Sequence, residues 1–123
     1  MPINSKQKGK RFELELAHKL QDYGFTEARR TAQYCGKTEE SSDVIGLKGI
    51  HIEAKHQETL KIYDWMAQAI RDSKGTENKP CVFFKKNRED ILVSMRFEDF
   101  MDLYIKAYGG PEKDESNRTE TEV

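Results

Sequence analysis

Long apolar runs are absent from this 123-residue chain, and it has only two cysteines and three prolines. No stretch approaches the roughly 20 apolar residues of a membrane span, and the polar, basic beginning MPINSKQKGKR lacks the apolar segment of a secretory signal. Cys35 and Cys81 have no CxxC spacing, so we expect free thiols rather than a disulfide or a zinc site. His18, His51 and His56 also lack a metal-ligand spacing, and we expect them at surface or strand positions. These absences predict an intracellular, cytoplasmic protein without a membrane partner.

Surplus positive charge is missing too, because the net charge is -1, whereas DNA-binding proteins usually carry an excess of Lys and Arg. The average hides two different regions. Residues 111–123 hold five acids and two bases, so this segment carries -3 and the remaining body +2. Four bases stand together before the first acid: Lys6, Lys8, Lys10 and Arg11. They are either a phosphate-contacting edge or a solvated basic terminus.

The length fits one domain, which we expect over residues 1–110, followed by a disordered acidic tail over 111–123. Apolar residues at helical spacing predict three helices, over 5–23, 61–74 and 97–108. Short runs bounded by turn residues predict five strands, over 25–34, 43–47, 50–55, 80–84 and 91–95. The order α-β-β-β-α-β-β-α predicts an α/β fold with a mixed central sheet flanked by helices.

Charged residues interrupt the predicted hairpin. Asp43 stands at its start, and Glu53 and Lys55 stand in its second strand. Because residues i and i+2 of a strand share a face, Glu53 and Lys55 point the same way. Charges on a short apolar strand cost free energy unless they are paired or metal-bound. We therefore expect the charges on this strand to be either paired or bound to a metal ion.

The length of the hairpin turn decides whether Asp43 joins that site. A two-residue loop sets Asp43 opposite Ala54, whereas a three-residue loop over 47–49 sets it opposite Glu53. We expect the three-residue loop or an equivalent bulge, because Gly49 can supply the left-handed conformation that such a loop needs.

The first helix offers a second carboxylate. At about 100° per residue, Glu13 falls inside the apolar arc that contains Phe12 and Leu16, whereas Glu15 falls on the far side. A carboxylate that faces the sheet requires a cation. The cation is either a shared metal ion or, if Glu13 is only a rim acid, a lysine.

These residues follow a fixed order along the chain: Gly9, Glu13, Asp43, Ile52, Glu53 and Lys55. The order Gly-x-x-x-Glu, Asp and Ile-Glu-x-Lys resembles the PD-(D/E)xK nuclease superfamily, and most of all the archaeal and phage Holliday junction resolvases. The resemblance covers residues 9–68, roughly half of the chain. Ser42 stands where the motif has a proline, a position that varies in this group. The resemblance implies a restriction-endonuclease-like fold.

It also implies a Mg²⁺-dependent endodeoxyribonuclease, with Mn²⁺ able to replace Mg²⁺. The implied metal ligands are Glu13, Asp43, Glu53 and the Ala54 carbonyl. Lys55 is expected to orient or deprotonate the attacking water and to offset charge on the phosphate. Gln68, in the second helix, either hydrogen-bonds at this catalytic site or lies on the surface. The implied product is a nick with 5′-phosphate and 3′-hydroxyl ends.

The resemblance further implies DNA contacts outside the catalytic residues. Arg29 and Arg30 are candidates, and strand alternation lets only one of them face the cleft. Lys37 lies in the GKTEESS stretch, which either reaches over DNA or is a simple loop. The implied substrate is a four-way junction cut in recombination and repair, in a phage-encoded setting. Even cutting needs two sites related by symmetry, so a homodimer is expected.

Three other functions use the same residues. A restriction-type or repair nuclease keeps the chemistry but acts on duplex DNA; the lack of a recognisable base-reading element favours recognition of branch shape instead. A non-catalytic DNA-binding protein of the same fold is disfavoured, because Glu13, Asp43, Glu53 and Lys55 are all present. The last alternative is an α/β domain whose charges are merely solvated.

Overall fold

The structure is a computed structural model that describes residues 5–31 and 42–111. Its elements in chain order are α1 (Ser5–Asp22), β1 (Arg29–Arg30), β2 (Val44–Ile45), β3 (Ile50–His56), α2 (Ile62–Asp72), β4 (Lys79–Lys85), β5 (Leu92–Met95) and α3 (Phe97–Tyr108). The predicted order is therefore confirmed. Together with the mixed sheet described below, it is the restriction-endonuclease-like α/β fold.

The five strands form one sheet in the order β1-β2-β3-β4-β5. Neighbouring strands are antiparallel except β3 and β4, which are parallel. A parallel pair cannot be joined by a tight turn, and α2 provides the connection between these two strands. This helix packs on both β3 and β4.

The hairpin has the register that the three-residue loop predicts. Val44 pairs with Ile52, and the Asp43 N–H donates to the Ile52 carbonyl at 2.8 Å. Gly49 has φ of 85°, the left-handed conformation expected there. The prediction of register from loop length is confirmed.

Gly46 follows β2 where the chain passes close to the segment before β1. A Cβ on Gly46 would lie 2.4 Å from the Ala28 Cα, and φ at Gly46 is 113°. Both the space and the backbone conformation therefore require glycine. The close approach fixes the position of Ala28, and hence of β1, against β2.

One face of the sheet is covered by α1 through an apolar cluster. Its buried members are Phe12, Leu16, Ala17, Val44, Ile52 and Ala54. The other face carries a second buried cluster: Trp65, Ala69, Val82 and Phe84. In the parallel register Glu53 lies beside Val82 and Lys55 beside Phe84. The polar residues of β3 therefore face α2.

The predicted strand over 25–34 is wrong in extent. Only Arg29–Arg30 is a strand among the described residues. The preceding segment turns instead, because the Thr26 N–H donates to the Gly24 carbonyl and the Ala28 N–H to the Phe25 carbonyl, each at 3.0 Å. Residues 32–34 lie outside the described ranges.

Several other predictions also fall outside those ranges, namely the thiol of Cys35, the DNA contact of Lys37 and, apart from residue 111, the tail over 111–123. Cys81 is a free, buried thiol, and burial raises its pKa to about 11, which favours the neutral thiol over the thiolate. None of the described helices is long and apolar enough to cross a membrane.

Large apolar side chains are exposed along α3 and the neighbouring strand. On α3 they include Phe97, Phe100, Tyr104 and Tyr108, the last of which is 78% exposed. Leu92 and Val93 of β5 are also more than half exposed. On α3 the rings of Phe100, Tyr104 and Tyr108 also contact one another, and an exposed apolar patch of this kind is typical of an interaction site.

Candidate active site

The polar face of β3 consists of three alternate residues, His51, Glu53 and Lys55. His51 and Glu53 are each only 2% exposed, although both are polar. Burial of a carboxylate without partners is costly, so the hydrogen bonds around Glu53 define the site.

Asp43 lies next to Glu53 and is fixed by two hydrogen bonds to β3. Its own N–H donates to the Ile52 carbonyl at 2.8 Å, and its Oδ2 accepts the Ala54 N–H at 2.8 Å. The two bonds join Asp43 to Ile52 and Ala54, the residues that precede and follow Glu53. The Asp43 carboxylate is therefore buried close to the Glu53 carboxylate.

Glu13 reaches the same region from α1. Its Oε1 lies 3.0 Å from both Nε and Nη2 of Arg30, and its side chain is 13% exposed. Arg29 is exposed, so Arg30 is the arginine on the carboxylate side. Glu15 lies on the other side of the helix, 3.7 Å from the Lys85 Nζ. The cation beside Glu13 is thus an arginine, where the sequence left a metal ion or a lysine as the alternatives.

The three carboxylates influence one another electrostatically. Burial raises the pKa of Glu53, and the charges of Asp43 and Asp72 raise it further, against the opposing effect of the His51 hydrogen bond. Burial and the Asp43 charge likewise raise the pKa of Glu13, although Arg30 opposes the shift. Such a cluster favours a cation, because a positive charge relieves the repulsion.

Gln68 lies at this site and links two of its charged groups. The Lys55 Nζ donates to Gln68 Oε1 at 3.0 Å, and Gln68 Nε2 donates to Glu53 Oε2 at 2.9 Å. Of the two positions considered for Gln68, the structure has the one beside Glu53. The amide holds the lysine and the carboxylate in a fixed relation.

Three residues that were not predicted as part of the site also lie here. His51 Nε2 is hydrogen-bonded to Glu53 Oε1 at 2.8 Å, and His51 Nδ1 lies 3.1 Å from the Ser42 Oγ. Asp72, at the end of α2, is close enough to raise the pKa of Glu53. Sequence spacing could have indicated two of them. His51 is two residues from Glu53, so the two share a strand face, and Asp72 is four residues from Gln68, so the two share a helix face.

The potential metal ligands form a different group from the expected one. Within residues 6–31 and 42–111, the group whose ligand atoms all lie within 4.8 Å of one another is His51, Glu53 and Asp72. It shares only Glu53 with the expected set of Glu13, Asp43, Glu53 and Ala54. The expected carboxylates are nevertheless hard oxygen donors, of the class that Mg²⁺ prefers. They also form the mutually repelling cluster that a cation relieves, so they fit a divalent ion.

A cleft runs beside this site and is lined by residues of α1 and β3. Lys8, Gly9, Lys55, His56 and Asn87 are among its lining residues. Lys8 is partly buried and lies 3.5 Å from the Glu58 carboxylate. The other bases of the N-terminal group, Lys6, Lys10 and Arg11, are exposed on α1.

Comparison with known proteins identifies a family over nearly the whole chain. A family model described as "Phage putative PDDEXK endonuclease" matches residues 4–119. Neither the curated proteins nor the solved structures include a match to the chain.

Proposed function

The chain belongs to this family of phage PDDEXK endonucleases, and we propose that it is a Mg²⁺-dependent enzyme that nicks four-way DNA junctions symmetrically. The observation that carries the proposal is the burial of Asp43 beside Glu53, with Lys55 on the same face of β3. Two buried carboxylates with a nearby lysine are suited to phosphodiester hydrolysis at a divalent ion.

Asp43, Glu53 and the Ala54 carbonyl would hold the ion, with Glu13 completing the site directly or through water. PD-(D/E)xK nucleases generally use a divalent metal. A carboxylate has about four lone-pair positions, so the hydrogen bonds to Asp43 and Glu53 do not exhaust their capacity as ligands. When bound there, Mg²⁺ or Mn²⁺ supplies an activated water and stabilises charge on the phosphate.

The remaining roles belong to residues around the carboxylates. Lys55 orients the water and offsets negative charge that develops on the phosphate. Gln68 fixes Lys55 relative to Glu53 through its two hydrogen bonds. Arg30 holds the Glu13 carboxylate in place and lowers the local excess of negative charge.

DNA would approach along the cleft that Lys8 and Lys55 line. The exposed bases Lys6, Lys10 and Arg11 would contact phosphates next to it, and the exposed Arg29 of β1 would be a further phosphate contact. Phosphate contacts position DNA without reading its sequence, which suits recognition of a branch by its shape. Lys37 remains a prediction, because it lies outside the described residues.

A homodimer is part of the proposal, because two symmetric nicks require two active sites related by symmetry. The exposed aromatic patch of α3 supports it, since aromatic residues such as Phe100 and Tyr104 are enriched in interfaces. Tyr104→Glu is expected to shift the protein from dimer to monomer in sedimentation. An unchanged mass would exclude this surface as the interface. We place the activity in recombination or repair of phage DNA inside the host cell.

The test is incubation of the purified chain with a labelled four-way junction, the matching linear duplex and a single strand. Paired nicks in opposite strands of the junction, present with Mg²⁺ or Mn²⁺ and lost with EDTA, are the expected result. Cleavage of all three substrates would support a general or restriction-type nuclease instead. Binding without cleavage in any metal would support a non-catalytic DNA-binding protein.

A further inference from the structure

The face of β3 that carries Glu53 and the inner side of α2 have matching spacings. Two residues of a strand advance about 6.7 Å, and four residues of a helix advance about 6 Å. Gln68 bonds both Lys55 and Glu53. One turn further along α2, Asp72 therefore comes to the level of the next residue on that face, His51.

This spacing creates a continuous row of polar side chains between β3 and α2. We call it the polar row; its members are Lys55, Gln68, Glu53, His51 and Asp72. At one end of the row, His51, Glu53 and Asp72 have ligand atoms within 4.8 Å of one another. His51 and Glu53 are buried, while Asp72 is only partly buried, so this end of the row is accessible to small ions from the side of Asp72.

The orientation of His51 is fixed in the way that metal-binding histidines usually are. A ligating histidine normally makes a hydrogen bond through its other ring nitrogen, which sets the ring orientation. Here Nδ1 lies 3.1 Å from the buried Ser42 Oγ, and Nε2 faces Glu53 Oε1 at 2.8 Å. Metal–ligand bonds of ~2 Å place neighbouring ligand atoms roughly 3 Å apart, which is close to this separation.

We infer that His51, Glu53 and Asp72 form a second metal site, which takes a divalent transition cation such as Zn²⁺, Mn²⁺ or Co²⁺. One imidazole nitrogen and two carboxylates suit these ions, whereas Mg²⁺ prefers oxygen ligands and water. The site goes beyond the proposed nuclease site, with which it shares Glu53, and its occupancy does not depend on DNA cleavage.

The charges around Glu53 also favour a cation at this second site. The negative charges of Asp43 and Asp72 both act on Glu53. The Lys55 ammonium bonds to the neutral Gln68 amide rather than directly to one of these carboxylates. A cation at the Asp72 end of the polar row would lower the repulsion that these two carboxylates exert on Glu53.

The test is titration of the full-length, metal-free chain with Zn²⁺, followed by calorimetry and by NMR of the histidine ring nitrogens. We expect a large shift of the His51 Nε2 resonance with Zn²⁺ and a much smaller one with Mg²⁺, which would affect this nitrogen only through its hydrogen bond to Glu53. Asp72→Asn is expected to weaken Zn²⁺ binding at least tenfold, and Asp72→Glu to recover part of the affinity. A hydrogen-bonding role of His51 alone would predict no effect of Asp72.

Two variants serve as controls. Asp64→Asn removes an exposed carboxylate from the first turn of the same helix and should leave Zn²⁺ affinity unchanged. Asp43→Asn removes a ligand of the proposed Mg²⁺ site and should keep the His51 response. Melting curves check that each variant is folded.

The inference is overturned if Zn²⁺ leaves the His51 Nε2 resonance of the wild type in place, or shifts only His18 or His56. It is also overturned if folded Asp72→Asn binds Zn²⁺ like the wild type. Cleavage of junction DNA by the wild type in Mg²⁺ is measured separately. The failure of the proposed function and the failure of the second metal site can therefore be distinguished.

Discussion

The two faces of β3 are buried to a similar extent but have opposite chemistry. Toward α1, Ile52 and Ala54 pack into an apolar cluster. Toward α2, His51 and Glu53 are equally buried but polar, and hydrogen bonds satisfy them. Adjacent residues of one strand therefore belong to two different environments.

The comparison teaches that burial has a different meaning on each face. Removing apolar area from water stabilises the fold by about 25 cal/mol per Å². Burying charged groups is unfavourable, and hydrogen bonds and neighbouring charges only partly offset the loss of hydration. The apolar face should therefore determine stability, and the polar face should determine activity.

The largest expected effect is on catalysis. Glu53→Gln keeps the shape of the side chain but removes its charge, so it should lower the rate of junction cleavage by about 10³-fold or more, the scale of losing a major electrostatic contact to the reacting groups. The melting temperature should not fall, because a buried charge disappears with it. Single-turnover cleavage and thermal unfolding measure the two effects.

Glu15→Gln is the matched control, since Glu15 lies on α1 away from the carboxylate cluster. It should cleave at the wild-type rate. Undiminished cutting by Glu53→Gln would contradict the assignment of Glu53 to the active site.

The next effect is on stability. Ile52→Ala, one residue from Glu53, should lower the free energy of unfolding by about 3 kcal/mol, because it leaves a cavity in the cluster under α1. Cleavage per folded molecule should stay close to the wild-type value. Urea unfolding gives the first quantity, and active-site titration gives the second. A larger loss of stability in Glu53→Gln than in Ile52→Ala would refute the distinction between the two faces.

Lys55→Met should lower the cleavage rate by about 10²-fold, which corresponds to about 2.7 kcal/mol of barrier. The ammonium offsets charge on the phosphate, and methionine keeps only its apolar part. Lys48→Met, in the exposed hairpin turn, is the control for loss of one positive charge. Equal rates for the two variants would exclude a specific role of Lys55.

The smallest expected effect is the pH dependence of stability. The pKa of Glu53 is raised above its ordinary value of 4.5, mainly by burial. The folded state thus binds this proton more tightly than the unfolded state, so the ionised carboxylate destabilises the fold above the folded pKa. The stability advantage of Glu53→Gln should be greatest at neutral pH and should vanish as pH falls to about 4.5.

Urea unfolding of both proteins in EDTA, between pH 4.5 and 7.5, tests this. Their difference removes the contributions of all other groups that titrate equally in both. A difference that grows toward acidic pH would show that Glu53 is stabilised as a carboxylate.

Local rules predicted the parts of the site that depend on neighbouring residues. Loop length and Gly49 gave the register of the hairpin, which is confirmed. Helical periodicity put Glu13 on the sheet side of α1, and the structure has it beside Arg30. These predictions needed only the geometry of one turn and one helix.

The polar row could not be predicted in the same way. Strand alternation put Glu53 and Lys55 on one face, but His51 was interpreted only as a surface or strand residue. Asp72, which has a carboxylate oxygen within 4.8 Å of a His51 ring nitrogen, lies 21 positions away in the sequence, on a helix whose position over β3 depends on packing against β4. The extent of β1 was wrong for another reason, because two turn hydrogen bonds use the backbone of residues 24–28.

The contact between Gly46 and Ala28 has a consequence for the geometry of the carboxylate cluster. Arg30, which neutralises Glu13, stands two residues after Ala28, and any side chain at position 46 would push that segment outward. The position of Arg30 relative to α1 thus depends on Gly46, which itself has no role in the chemistry. A single added methyl group at position 46 would therefore change the geometry of the carboxylate cluster, although every acidic residue in the sequence stays in place.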